Sequence, residues 1–356
     1  MSVPTTMLAG RLHLDSNTFA VEEVPVPVPG SGEVLVEVRA AGVCLSDVHL
    51  IDGSLSPSFP VDAVANSRAV TLGHEVAGVV HTPGPNLNGH WTPGRRVVLQ
   101  AGQACGGCVG CLRRASCLRP LTRGVDYDGG WAQYALARED TLAPIPDDLP
   151  FDQASIIPDA VSTPYAAIVE TGAVRPAQSV GIWGAGGLGA HGIRLARMVG
   201  AAPIIAVDPI LAARERALVF GADFALDPTA DDFAAALAEA TGGRGIEVAF
   251  DFAGVGAARA QATAVLAPGG VLVLAGLTPE PIVVRDSTEF SYLGHQIRGH
   301  YGSGPEHVEQ LISLTSAGRI DLAPSITAHV PLAEAADAVA RLEKKIGDPI
   351  RFVLTP

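Results

Sequence analysis

Four of the five cysteines in this chain stand within thirteen residues, as Cys105, Cys108, Cys111 and Cys117. Intervals of two, two and five residues let thiolates converge on one ion. Four sulfurs leave zinc no vacant position, so the pattern predicts a closed, structural Zn²⁺ site, with free surface thiols as the plain alternative. Gly106, Gly107 and Gly110 supply the turns that such a loop needs. Cys44 is isolated in the run GVCLSDVH, and His74 and Glu75 follow in TLGHEVAG, where Gly73 and Gly78 mark unusual backbone. A lone thiol or imidazole is most often a core residue. Cys44, His74 and Glu75 together offer metal-type ligands of mixed kind, which points to a second site open for chemistry. An odd cysteine count without a secretion signal argues against a disulfide framework and for metal ligation in a reducing cytoplasm.

A second constellation is Gly184-Ala185-Gly186-Gly187-Leu188-Gly189, which fits G-x-G-x-x-G. It follows an apolar run and opens an amphipathic one. Such glycines permit a tight turn and close approach of a pyrophosphate, which a helix N-terminus then stabilises. A second apolar run ends at Asp208, placed to accept hydrogen bonds from the adenosine ribose and to repel a 2′-phosphate, so NAD is favoured over NADP. The simpler alternative for Asp208 is to cap the next helix, and Arg214 and Arg216 nearby keep NADP open.

These residues need elements to hold them. Up to about residue 150 the chain is rich in Pro and Gly and reads as short strands (Glu33 to Ala41, Val76 to Val80, Arg96 to Leu99) separated by turns, the pattern of a folded-over antiparallel β domain and not of a helical one. Val34, Val36 and Val38 share one expected face. From about 160, strands and helices alternate: strands at Ser179 to Trp183, Pro203 to Val207, Ile246 to Phe250 and Val271 to Ala275, and helices at Leu188 to Val199, Ile210 to Phe220 and Ala257 to Leu266, the last ended by Pro268-Gly269-Gly270. That spacing implies βαβ units and a parallel sheet. Two helices, near Glu306 to Ser316 and Ala333 to Lys344, precede a last strand, Ile350 to Leu354.

Composition narrows the function classes. The 356 residues suit two domains, and with 48% hydrophobic but 5% aromatic residues the core must be mainly aliphatic. A net charge of -13 argues against nucleic-acid or anionic-membrane partners. No run approaches the roughly 18 apolar residues of a membrane span, and no targeting segment is read at the N-terminus. A cytoplasmic protein is expected.

Taken in order, GVCLSDVH, GHEVAG, the four-cysteine lobe, GAGGLG with Asp208, and the terminal Ile350-Arg351-Phe352-Val353-Leu354 resemble the zinc-containing medium-chain dehydrogenase/reductase family, alcohol dehydrogenases in particular, over nearly the whole chain. The resemblance implies an α/β fold: a Rossmann doubly wound parallel-sheet cofactor domain (159–299) and a GroES-like, mainly β catalytic domain formed by 1–158 and 300–356. It implies two zincs per chain and NAD. Cys44, His74 and Asp159 would ligate the catalytic zinc, Asp159 standing where relatives usually carry Cys, as in some bacterial secondary alcohol dehydrogenases; a helix N-cap is its alternative. Glu75 would be the carboxylate beside the metal and Asp47 the acid that orients the zinc-bound His. Ser46 would take the alcohol proton and pass it through the nicotinamide ribose to His49, which releases it to solvent. Arg351 would contact the cofactor pyrophosphate.

The activity so implied is reversible hydride transfer between a primary or secondary alcohol and its aldehyde or ketone, by a homodimer or homotetramer. Alternatives are a polyol or sugar dehydrogenase, an NADPH-dependent carbonyl or enoyl reductase of the same fold, and a nucleotide-binding protein without catalysis. Two departures from the family pattern are the shortened gap between Cys111 and Cys117 and a long segment, Ile51 to Ala69, expected to form a loop that controls access to the substrate mouth. Ala101, small where many relatives carry a large side chain, favours a roomy pocket for bulky or cyclic substrates.

Overall fold

A computed structural model describes residues 3–57, 68–114 and 117–356. Most of the long segment before Ala69 (58–67) and the lobe residues 115–116 lie outside the described residues. Two compact units are formed, Met1–Asp159 with Ser303–Pro356, and Ala160–Gly302. Among the described residues no helix is long and apolar enough to cross a membrane.

The first unit is built on the strand Glu33–Val43. It pairs antiparallel with Val76–Pro83 along one edge, and along the other with Tyr134–Arg138 and the chain's last strand, Arg351–Thr355, in the register Phe352 opposite Val43. Ile326–Pro331 extends the sheet parallel to that last strand, and Arg96–Leu99 and Leu142–Pro144 extend it on the other side. The expected alternation along Glu33–Val43 holds for Val34, Val36 and Val38, which are buried while Glu37 is half-buried and Arg39 exposed; Leu35, buried on the other face, is the exception. Its mainly aliphatic core runs through Leu12, Val34, Val97 and Leu99, with the rings of Trp131 and Phe352 among them.

Two glycines of this unit act through space, as their setting in TLGHEVAG suggested. A Cβ at Gly78 would lie 2.2 Å from the Glu37 carbonyl of the paired strand. Gly73 has φ +93° and lies so close to Trp131 that a Cβ would meet its Cδ1 at 2.2 Å. The Trp131 indole in turn donates to the Gly42 carbonyl at 2.9 Å, tying together the two segments that carry Cys44 and His74.

The unit is mainly β, as expected, with a short helix that no pattern in the sequence placed. Residues Leu45–Asp52 form an α-helix immediately after Cys44. The Asp47 carboxylate accepts from the Cys44 N–H at 2.9 Å, a local cap that the hydrophobic pattern alone does not announce.

The second unit is a parallel six-stranded sheet. Its strands in chain order are Val180–Trp183, Ile204–Val207, Phe224–Leu226, Ile246–Asp251, Leu266–Leu274 and Gln296–Gly299, and their order across the sheet is third, second, first, fourth, fifth, sixth. Helices Gly187–Met198, Leu211–Val219, Phe233–Ala240 and Gly256–Ala264 connect them. The helix expected to run to Leu266 stops at Ala264, and Pro268-Gly269-Gly270, read as a helix stop, lies inside the fifth strand. The strand tolerates it because its register shifts there and Gly269 adopts φ +76°.

Replacing Trp131 by Phe removes the indole donor while keeping most of the ring. We expect a loss of about 1–3 kcal/mol and a fall of a few degrees in Tm, measured by calorimetry.

Candidate active site

The helix Leu45–Asp52, the loop before Val76–Pro83 and a wide, π-type helical turn at Ile157–Val161 bring Cys44, His74 and Asp159 to one point. Cys44 Sγ lies 3.6 Å from Asp159 Oδ2, and His74 Nε2 lies 3.3 Å from the same oxygen. Zinc bonds of about 2.3 Å to sulfur and about 2.0–2.1 Å to nitrogen or oxygen give tetrahedral edges of about 3.3–3.8 Å, so these separations match a shared Zn²⁺. Glu75 completes the cluster, all four ligand atoms lying within 4.8 Å of one another. Asp159 is not a helix N-cap. Its wide turn points the carboxylate at the two other ligands, and such turns recur at functional sites.

The surroundings favour positive charge. Asp47 is fully buried, with Oδ1 3.7 Å from His74 Nδ1, an ionic contact longer than a hydrogen bond. Burial raises the Asp47 pKa, opposed by His74. Burial alone would keep His74 neutral, but Asp47 and then Asp159 and Cys44 outweigh it, and its pKa rises well above 6.5. A cation at the ligand point would take the place of that proton. Burial pushes Glu75 up to about 7 even though Arg351 opposes it. Arg351, expected at the cofactor, is itself buried, and its Nη2 forms an ion pair with Glu75 Oε1 at 2.9 Å. That pairing was not visible in the sequence, where the two residues are far apart.

Ser46 is half-buried beside the cluster, with Oγ 3.7 Å from Cys44 Sγ. His49, one helical turn further on, is exposed; its Nδ1 lies 3.0 Å from Ser54 Oγ and 3.7 Å from the Asp52 carboxylate. Neither Ser54 nor Asp52 had been singled out.

The four clustered thiols also converge, again within 4.8 Å. Cys108–Cys111, Cys105–Cys111 and Cys108–Cys117 sulfur separations of 3.5, 3.9 and 3.9 Å bracket the tetrahedral sulfur–sulfur edge of about 3.8 Å. Backbone N–H groups of Cys111 and Leu118 donate to Cys108 Sγ and lower its pKa to about 6. Burial, then the neighbouring thiols, raise Cys111 to about 12. A shortened last gap therefore still lets all four sulfurs meet.

In the second unit, Gly184 turns with φ +88° out of the first strand. Gly189 packs so tightly that a Cβ would lie 1.7 Å from the Gly184 carbonyl oxygen, whereas a Cβ at Gly186 would meet nothing within 4 Å. One glycine of the motif closes the helix onto the strand and another leaves a cradle at the helix N-terminus, which fits a dinucleotide pyrophosphate. Gly187 and Leu188 open that helix. Asp208 is buried at the end of the second strand. Its carboxylate accepts from the N–H groups of Ala185 and Ile210, both at 2.9 Å, so it braces the glycine turn and also caps the approach to the next helix. Arg214 pairs with Asp227 at 3.0 Å, and Arg216 donates to the Ala185 carbonyl at 2.8 Å.

A mainly β unit with two zinc-type clusters and a dinucleotide fold define the class of zinc-binding dehydrogenases. Residues 30–147 match the alcohol dehydrogenase GroES-like domain and residues 187–317 the zinc-binding dehydrogenase domain. The chain is 32% identical to an NDMA-dependent alcohol dehydrogenase from Amycolatopsis methanolica, covering 92% of this chain and 93% of that protein. It is 31% identical to an L-threonine 3-dehydrogenase from Thermococcus kodakarensis, covering 86% and 85%. The alcohol dehydrogenase structure from Aeropyrum pernix superposes with a TM-score of 0.85 at 27% identity, covering 98% of this chain and 100% of that one. The chain belongs to the zinc-containing medium-chain dehydrogenase/reductase family, as an oxidoreductase of the alcohol dehydrogenase type.

Two glycine variants test the cofactor loop. Gly189→Ala should destabilise the second unit by about 3 kcal/mol, because the nearest atom is backbone and cannot move aside. Gly186→Ala should leave Tm nearly unchanged and weaken dinucleotide binding, read by NADH fluorescence.

Proposed function

We propose that this protein is a zinc- and NAD-dependent alcohol dehydrogenase that interconverts a primary or secondary alcohol, bulky or cyclic ones included, with its aldehyde or ketone. The observation that carries the reading is the meeting of Cys44, His74 and Asp159 at separations that suit one tetrahedral zinc. When bound, zinc supplies Lewis acidity toward the alcohol oxygen and lowers its pKa, and NAD is the hydride acceptor. The Cys105, Cys108, Cys111 and Cys117 cluster suits a second, structural zinc.

The protein's own groups bind, orient and move the proton. Asp47 attracts the Nδ1 side of His74, which leaves Nε2 as the ligand atom and fixes the tautomer. Arg351 balances Glu75, so the buried carboxylate beside the cluster does not stand uncompensated. Ser46, whose hydroxyl lies 3.7 Å from Cys44 Sγ, receives the alcohol proton, and His49 delivers it to solvent from a side chain 47% exposed. Ser54 and Asp52 hold the far side of that ring.

Asp208 supports NAD over NADP: its buried carboxylate is fixed by two backbone donors where a 2′-phosphate would bring more negative charge. Arg214 is paired with Asp227 and Arg216 is turned to the Ala185 carbonyl, so neither is committed to a 2′-phosphate. L-Threonine 3-dehydrogenases among the relatives place amino alcohols in the substrate panel beside simple, cyclic and polyhydroxy alcohols. A homodimer or homotetramer in the cytoplasm belongs to the same reading.

Metal analysis by mass spectrometry should give two zincs per chain. Asp159→Ala should remove one of them and lower kcat/KM by about a thousandfold, while Asp159→Cys should keep both. Unchanged zinc and activity in Asp159→Ala would sink the assignment. With NAD and NADP compared on one alcohol, NAD should be preferred, and Asp208→Ala should narrow the preference by roughly tenfold or more.

A further inference from the structure

Three loops meet at the carboxyl ends of the first, fourth and fifth strands of the parallel sheet. The sheet order reverses between the first and fourth strands, and in such folds that reversal opens the ligand crevice. Gly184, at the end of the first strand, packs on Ala253, whose N would lie 2.9 Å from a Cβ there. Gly254 packs on Gly276 and Leu277, with a Cβ on Gly276 falling 2.2 Å from Gly254 N. Residues 252–254 and 276–280 thus form the wall of the crevice opposite Asp208.

One buried ion pair stitches that wall. Asp251, fully buried, accepts from Ala253 N–H at 3.0 Å and Gly254 N–H at 2.9 Å through Oδ1, and from Arg259 Nε at 2.7 Å through Oδ2. Arg259, 8% exposed, then reaches the other loop, donating to the Gly276 carbonyl at 2.9 Å and the Glu280 carbonyl at 3.5 Å. Glu280 Oε2 returns the contact by accepting from Gly256 N–H at 2.7 Å. A guanidinium spans these acceptors because it is planar and multidentate; an ammonium cannot reach both loops at once.

We propose that Arg259 is a positioning residue for the cofactor, holding the two loops that receive the nicotinamide half of the dinucleotide. The first three strands, with Gly184 to Gly189 and Asp208, serve the adenosine half, so the fourth and fifth serve the other. This rests on the NAD reading above. Its consequence is selective: loosening Arg259 disturbs the nicotinamide side and spares the adenosine side.

The test compares NADH with ADP, which carries the adenosine and pyrophosphate alone, by titration of the full-length protein. Arg259→Lys should raise the Kd for NADH on the order of tenfold, and Glu280→Ala by a few-fold, while the Kd for ADP stays within about twofold in each. Arg197→Ala, which breaks the exposed pair with Asp223 in the same unit, should change neither. An equal loss for NADH and ADP, or an unchanged Kd for NADH, overturns the inference. Should Arg259→Lys fail to fold, Glu280→Ala, on an exposed loop, decides by the same criteria. Failure of the unsubstituted protein to bind NADH overturns the NAD reading and this inference together, whereas binding that the variants leave untouched overturns the inference alone.

Discussion

Buried negative charge is the constraint around which the first unit is organised. Asp47 and Glu75 are both fully buried, and Asp159 and the Cys44 thiol stand beside them. Carboxylates withdrawn from water are costly unless a cation meets them. Arg351 meets Glu75, and His74, its pKa raised by its neighbours, faces Asp47 and Asp159. What remains is a surplus of anionic ligand atoms at one point, which suits a divalent ion. The chain must return to this unit at Ser303 and end in the strand opposite Val43 for Arg351 to arrive at all.

The clustered thiols solve the same problem at the surface by different means. There the donors are backbone N–H groups from the loop itself, which lower Cys108 without any buried cation. A closed set of four sulfurs needs only a short loop with turns. An open site needs ligands from separate elements and a second layer that fixes them, which is why Asp47, Glu75, Trp131 and Arg351 surround it. In the second unit the charge problem is again met by backbone: Asp208 is held by Ala185 and Ile210, so one carboxylate serves turn, helix approach and cofactor preference together.

Much of this was legible from spacing. Strand–helix alternation from Ser179 onward follows from period and turn residues. The glycine motif announces its own geometry, because only glycine fits at 184 and 189. Other features had no local signal. The helix Leu45–Asp52 was missed because its capping box, in which Asp47 accepts from the Cys44 N–H, outweighs a weak hydrophobic pattern. The break at Pro268-Gly269-Gly270 was misplaced because a strand can absorb it as a shift in register. Glu33–Val43 keeps its alternation except at Leu35, whose burial depends on what packs on the other face of the sheet and has no local signal.

The sequence by itself determined the ligand types, the glycine turns and the family, since these depend on residue identity over short spans. Asp159 was reached only through resemblance, and its carboxylate is aimed by a wide helical turn that no periodicity announces. Two pairings of charge were decided by tertiary structure alone, Arg351 with Glu75 and Arg259 with Asp251 and Gly276, whereas that of Asp47 with His74 was already implied by the resemblance. An ion pair across a sheet or between two loops depends on register and on which loops share one end of a sheet, and those follow from the packing of the whole unit.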